Sequence, residues 1–204
     1  MRTLLALLLC GARPQDDGGF TFVHCSDPHA PIAGSAETIA EIKKFGALEL
    51  PGGETAKAPS FVVVTGDLTE FGAKEGWESY RGWWKDATMP VYSVMGNHDG
   101  TWDCLRPKLR AIHGAPWYSW DHAGNHFVVL DSSSPQEPRP SFAEETLAFL
   151  RRDLAKVPKQ TPLFLFFHHP PHGDEFASGL DRQRLFDIVR PCLRRHLRAR
   201  GASA

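Results

Sequence analysis

Four short runs dominated by β-branched and aromatic residues recur along the chain: residues 20–25 (FTFVHC), 61–65 (FVVVT), 91–95 (VYSVM) and 163–167 (LFLFF). Their length and composition predict strands, and the near-continuous apolar character of residues 61–65 predicts one buried on both faces, as in a parallel sheet. Each run breaks at once into Gly, Pro or polar residues at its carboxyl end. Between the runs, apolar residues recur at helical spacing. Ile39, Ile42, Phe45, Leu48 and Leu50 predict a helix over 35–50, stopped by Pro51-Gly52-Gly53. Trp77, Tyr80, Trp83 and Trp84 predict a second over 75–85, their spacing being that of aromatics packed into a core and not of a ligand-stacking platform. Further helices are predicted over 102–113, 142–157 and 181–189.

The pattern changes between residues 117 and 130, where two strands flank a short turn and predict an antiparallel hairpin that begins a second sheet. Parallel βαβ units followed by hairpin-linked strands, with helices outside, predict two sheets packed face to face. Residues 131–140 form a polar, Pro-rich loop, equally suited to lining a substrate entrance or to an ordinary surface connection. His113, His122 and His126 lack a partner at ligand spacing and read as surface or hairpin histidines.

With 204 residues, 42% hydrophobic and 23% charged, the chain can bury one sizeable core, so a single domain over residues 20–189 is expected. Its 23 basic and 24 acidic residues leave a net charge of −1, which gives no global field for nucleic acid or an anionic membrane. Residues 1–12 combine a basic start, a short apolar core and a small-residue region, as in a secretory signal, and residues 13–19 read as a flexible leader. A secreted or periplasmic protein is expected. A lipid anchor at Cys10 and a cytoplasmic protein with a frayed start are the alternatives, and the apolar run is far below the roughly 20 residues of a membrane span. Without Cys10, three cysteines remain, with no CxxC spacing and no implied disulfide framework; Cys25 reads as a small buried hydrophobe.

The chemistry gathers where the four runs end. Residues 26–29 (SDPH), Gly66-Asp67, Gly96-Asn97-His98-Asp99 and His168-His169-Pro170 each follow a strand directly. Singly, these are turn formers. Together they bring Asp, His and Asn side chains, all hard or borderline metal ligands, to one rim, where open α/β sheets place their ligands.

In that order and spacing, Asp27-x-His29, Gly66-Asp67, Gly96-Asn97-His98-Asp99 and His168-His169-Pro170 resemble the calcineurin-like metallophosphoesterases, over residues 20 to about 171. Gly66-Asp67-Leu68-Thr69 with Gly72 and Tyr80, and the later run 125–132 (NHFVVLDS), look most like the bacterial cyclic-nucleotide phosphodiesterase branch. Purple acid phosphatases match less well, because they carry Tyr where this chain has Glu70. The resemblance implies a four-layer α/β/β/α sandwich of two mixed sheets. It also implies two divalent or trivalent metal ions (Mn, Fe or Zn) and hydrolysis of a small-molecule phosphodiester or phosphomonoester by a metal-bridging hydroxide.

A phosphoester repels hydroxide by its own charge, and two ions roughly 3.5–4 Å apart both activate water and neutralise the ester oxygens. Asp27 and His29, two apart at a strand end, leave extended backbone on one face and can hold one ion together. Asp67 is the candidate shared carboxylate, Asn97 and His168 the candidates for the second ion, and the resemblance implies the same roles. His98 is assigned as catalytic proton donor, with Asp99 orienting its ring. Whether His168 or His169 is the ligand stays open, and His172 is a possible additional contact.

Family members end the site with a Gly-His-x-His motif that does not occur here; the last histidine, His196, lies in Arg194-Arg195-His196-Leu197. A catalytically incomplete relative that binds metal or phosphate without turnover is therefore the alternative. Five Arg between residues 190 and 200 read as a basic tail, either genuine or out of frame, and the C-terminal part of the domain is expected to be missing.

Overall fold

The computed structural model describes residues 19–133, 140–170 and 179–201. In chain order its elements are β1 (Val23–Cys25), α1 (Ser35–Ile42), β2 (Leu48–Glu49), β3 (Thr55–Ala56), β4 (Val62–Thr65), α2 (Lys74–Trp83), β5 (Val91–Val94), a 3-10 turn (His98–Gly100) and α3 (Arg106–His113). There follow β6 (Tyr118–His122), β7 (Asn125–Val129), α4 (Glu144–Leu154), β8 (Leu163–Phe166) and α5 (Gly179–Gly201).

Strands β1, β4 and β5 form a sheet in that order, every pair parallel. Strands β6, β7 and β8 form a second, with β6–β7 antiparallel and β7–β8 parallel. Of the two main sheets only the second is mixed among the described residues. The layers follow from the two-residue period of strand side chains. In and beside β4, Phe61 and Val63 face the second sheet, while Val62 and Val64 face α1 and α2. In β7, Phe127 and Val129 meet the first sheet, while Val128 and Leu130 meet Leu147 and Leu150 of α4 and Leu185 and Val189 of α5. Helices, sheet, sheet and helices are thus stacked in four layers.

The interface between the sheets is aromatic. Phe127 sits 5.2 Å from Phe61, 5.1 Å from Trp120 and 4.8 Å from Phe164, centroid to centroid. The α2 aromatics pack as their spacing predicts, with Trp77, Tyr80 and Trp84 in the outer core. Cys25, Cys104 and Cys192 are unpaired, and burial pushes the Cys25 thiol up to about 12.

Several boundaries differ from the sequence reading. The helix predicted over 35–50 ends at Ile42, and β2 pairs with β3 as a small hairpin around Pro51. Phe45 still packs against the core, but Leu48 remains exposed. The helix predicted from residue 102 begins at Arg106, with Pro107 in its first turn where a missing N–H costs nothing. The helix predicted to stop at Val189 continues through Pro191 to Gly201, so the Arg-rich segment extends α5. Of the histidines read as surface or hairpin residues, His122 and His126 lie on the hairpin strands β6 and β7, while His113 stacks on Tyr118 at 4.2 Å and His122 also lies against Phe20 and Phe61.

His126 is buried at the start of β7, at the opposite end from the candidate site, with both ring nitrogens on carboxylates. Nδ1 lies 2.6 Å from Asp121 and Nε2 2.8 Å from Asp153 of α4. Burial works against the charged ring, but Asp121 and Asp153 outweigh it and raise its pKa. The raised value means that this contribution is complete below the ordinary histidine pKa of about 6.5 and is lost as pH rises through the folded-state value. Wild type should therefore lose stability relative to His126→Gln on going from pH 6 upward. Urea denaturation of both proteins at several pH values checks this, and parallel curves would remove the role.

Candidate metal centre

Three residues at the strand ends occupy backbone conformations that L side chains rarely adopt: Asp27 at φ 58°, His29 at φ 45° and Asp67 at φ 47°. They are held there by a ladder beyond the sheet, in which Asp27 N–H donates to Gly66 O (3.2 Å), His29 N–H to Asp67 O (2.9 Å) and Ala30 N–H to Leu68 O (3.0 Å). The extended backbone expected at Asp27-x-His29 is thus absent, although His29 Nε2 still lies 3.8 Å from Asp27 Oδ1. Two glycines of the motifs are required by close approach. A Cβ on Gly66 would meet the His168 ring, and one on Gly96 would meet Asp67.

Asp67 is the centre of the arrangement. Its Oδ2 lies 3.4 Å from His168 Nε2, 3.7 Å from His29 Nε2 and 4.0 Å from His98 Nε2, while Oδ1 accepts the His98 backbone N–H at 3.0 Å. Two groups able to hold a cation result, His29–Asp67–His98 and Asp27–Asp67–His168, with Asp67 common to both. In these groups His29 stands with His98, and Asp27 with His168, which the second sheet delivers beside it, while the expected pair Asp27 and His29 also lies close, at 3.8 Å. Asn97 is exposed, its Oδ1 3.1 Å from His169 Nε2. The structure therefore turns His168, not His169, toward Asp67. His169 is held on Ser132 Oγ at 2.9 Å, and His172 lies outside the described residues.

The donor chemistry fits a cation. His98 Nδ1 bonds the Glu70 carbonyl and His168 Nδ1 the Thr65 carbonyl, both at 2.8 Å. A carbonyl only accepts, so each Nδ1 carries the proton and each neutral ring presents an Nε2 lone pair toward Asp67. Burial lowers the pKa of His168, but the hydrogen bond and charge of Asp67 outweigh it and raise the ring to about 9. Asp67 shows the reciprocal effect: burial acts to raise its pKa, and His168 and His98 together bring it below the ordinary value. Burial, with the nearby charge of His168, pushes His169 down to about 4.

Asp99 does not orient His98. It is fully buried, and its carboxylate accepts from Leu68 N–H (3.1 Å), Thr69 N–H (2.8 Å), Thr69 Oγ (2.9 Å) and Gly96 N–H (2.9 Å). Burial pushes its carboxyl up to about 6 in spite of those four donors. The His98 ring is instead held by Glu70, which the sequence reading did not assign to the site. Glu70 supplies its carbonyl to His98, and its carboxylate reaches 2.8 Å from His29 Nδ1, off the line of the N–H, and 3.8 Å from His98 Nδ1. Only its position, three residues after Asp67, could have drawn attention to it.

A family model described as calcineurin-like phosphoesterase matches residues 20–201. A probable glycerophosphodiester phosphodiesterase of Arcobacter nitrofigilis is 30% identical over 148 residues, covering 64% of this chain and 51% of the relative. A probable cyclic nucleotide phosphodiesterase of a Synechococcus species is 29% identical over 149 residues, covering 71% and 53%. The chain thus spans about half the length of these relatives. A purple acid phosphatase from yellow lupin superposes with a TM-score of 0.56 at 16% identity, over 84% of this chain and 38% of that one, a likeness of fold.

Replacing Asp99 by Ala leaves four donors from two loops without an acceptor, and stability should fall by on the order of 3 kcal/mol or more. Asp99→Asn should recover part of the loss. Urea denaturation measures both, and an Asp99→Ala protein as stable as wild type but slower in turnover would restore the ring-orienting role.

Proposed function

The chain belongs to the calcineurin-like phosphoesterase family, and from that membership we propose that it is a metal-dependent phosphodiesterase built around Asp67. The observation that carries the reading is the convergence of Asp27, His29 and His168 on one buried carboxylate, Asp67, with His98 beside it. Asp27 with His168 would hold one ion and His29 the other, with Asp67 between them and Asn97 at the exposed edge. When bound, such a pair supplies a nucleophilic water at neutral pH and neutralises phosphoryl oxygens.

The remaining work falls to the protein's own side chains. His98 keeps Nδ1 on the Glu70 carbonyl and its Nε2 in the space beside Asp67, where its protonated form can donate to a phosphoryl oxygen or to the leaving alkoxide. Its side chain is 36% exposed, against 6% for Asp67, as a group that meets substrate and a group that meets ions should differ. No described helix is long and apolar enough to cross a membrane, and we assign residues 1–12 to a secretory signal on their sequence pattern.

Binding without turnover is the second reading. Two variants and one substrate separate the readings. Asp67→Asn should lose both ions by metal analysis after Mn²⁺ loading. His98→Ala should keep its metal and lower kcat toward bis(p-nitrophenyl) phosphate by roughly 10²–10⁴-fold. Wild type that retains two ions yet leaves the diester intact would establish the second reading, and joint loss of metal and activity in His98→Ala would make His98 a ligand.

A further inference from the structure

The polar centre is bordered by apolar side chains that phosphoester chemistry does not use. Among the described residues six large hydrophobic side chains are exposed, and three of them, Ile32, Phe71 and Trp102, sit on the loops that carry His29, Asp67 with Glu70, and Asn97 with His98. Scattered exposed hydrophobes require no explanation. Phe71 and Trp102 are not scattered: their rings stack with centroids 4.8 Å apart and planes 17° from parallel, while Phe71 stays 40% and Trp102 79% exposed.

The stack is tied to the site by backbone. The Phe71 carbonyl accepts from Trp102 N–H (3.2 Å) and Asp103 N–H (3.5 Å), and Thr101, just before Trp102, donates its N–H to the His98 carbonyl at 3.2 Å. On the other strand of the contact, Phe71 directly follows Glu70, whose carbonyl holds the His98 ring. Gly72, at φ 71°, lets the two loops close so far that a Cβ there would run into the Asp103 and Asp99 carbonyls. The ring pair is therefore assembled in advance, one residue along the chain from the Glu70 wall. Beyond it, Ile32 N–H donates to the His29 carbonyl at 2.9 Å and adds a third apolar group to the loops of the centre.

Resting on the phosphoesterase reading, we propose that the Phe71–Trp102 stack is the subsite for the organic group of the ester, and that this group carries a planar ring, a nucleobase or aryl group, in preference to an open polyol. Trp102 is 79% exposed and stacks on Phe71 by one face, which leaves the other for a flat π-system and offers a glycerol chain nothing to use.

The test uses the 204-residue chain loaded with Mn²⁺, titrated calorimetrically with phenyl phosphate, adenosine 5′-monophosphate and glycerol 3-phosphate. The two ring-bearing esters should bind wild type roughly 5- to 100-fold more tightly than glycerol 3-phosphate, the range of a single stacking contact. Trp102→Ala should abolish that preference while glycerol 3-phosphate affinity moves by no more than about twofold, and Trp102→Phe should retain part of it, since the smaller ring still offers a face. A preference that survives in both Trp102→Ala and Phe71→Ala overturns the proposal, as does an equal weakening of all three ligands or a change confined to oligomeric state. If wild type holds its Mn²⁺ and binds none of the three, the phosphoesterase reading falls and takes this inference with it.

Discussion

One buried carboxylate fixes the geometry on which the centre depends. Asp99 gathers donors from Leu68 and Thr69 after β4 and from Gly96 after β5, and so sets the separation of two loops that arise from neighbouring parallel strands. Asp67 is the residue before Leu68, and His98 the residue before Asp99. Their approach, with Asp67 Oδ1 accepting the His98 N–H, is a consequence of that clamp. A fully buried carboxylate with four donors is a stiff element, because loosening any one bond leaves a buried donor unmatched.

The second constraint is the aromatic layer between the sheets. Strand β8 carries His168, and its place is set by parallel pairing with β7 (Phe127↔Phe164, Val129↔Phe166) and by Phe166 in the inter-sheet core. With that packing in place, His168 reaches from the end of one sheet to the Thr65 carbonyl at the end of the other. The centre is therefore shared between two sheets whose only covalent connection near it is long. Arg106 adds a polar tie at the same end: its Nε donates to Asp131 at 2.7 Å, joining the start of α3 to the end of β7. Packing in the middle and ion pairing at the rim act on the same relative position of the sheets.

Much of this was legible in the sequence, and the rest was hidden for identifiable reasons. Residues 61–65 and 163–167 announced strands because strands buried on both faces need apolar residues throughout. Asp27, Asp67, His98 and His168 were singled out because each follows such a run. Strands β2 and β3 were missed because two residues apiece, with Ala56 alone buried among the four, carry no periodic burial signal. Asp99 was misread for a geometric reason: consecutive residues of a 3-10 turn point about 120° apart, so the neighbour of His98 in sequence turns away from its ring. The grouping of His29 with His98, and of Asp27 with His168, depends on which loops meet in space, and no spacing encodes it. Glu70 entered the sequence reading only as the position where purple acid phosphatases carry Tyr, and only the fold brings its carboxylate to His29.

The strained residues complete the argument. Asp27, His29 and Asp67 each sit in the left-handed region, at a cost of about 1–3 kcal/mol apiece. Such a conformation persists only where the surroundings over-determine it, and here the parallel ladder from Asp27 to Ala30 along Gly66 to Leu68 does so. Relaxing any one of the three toward extended backbone would break rungs of that ladder and carry a ligand away from Asp67. The sheet core is thus converted into a fixed arrangement of anionic and imidazole donors, at positions where local preference alone would scatter them. The exposed Phe71–Trp102 pair leaves from the same loops, next to the residues that the Asp99 clamp and the strained ladder hold.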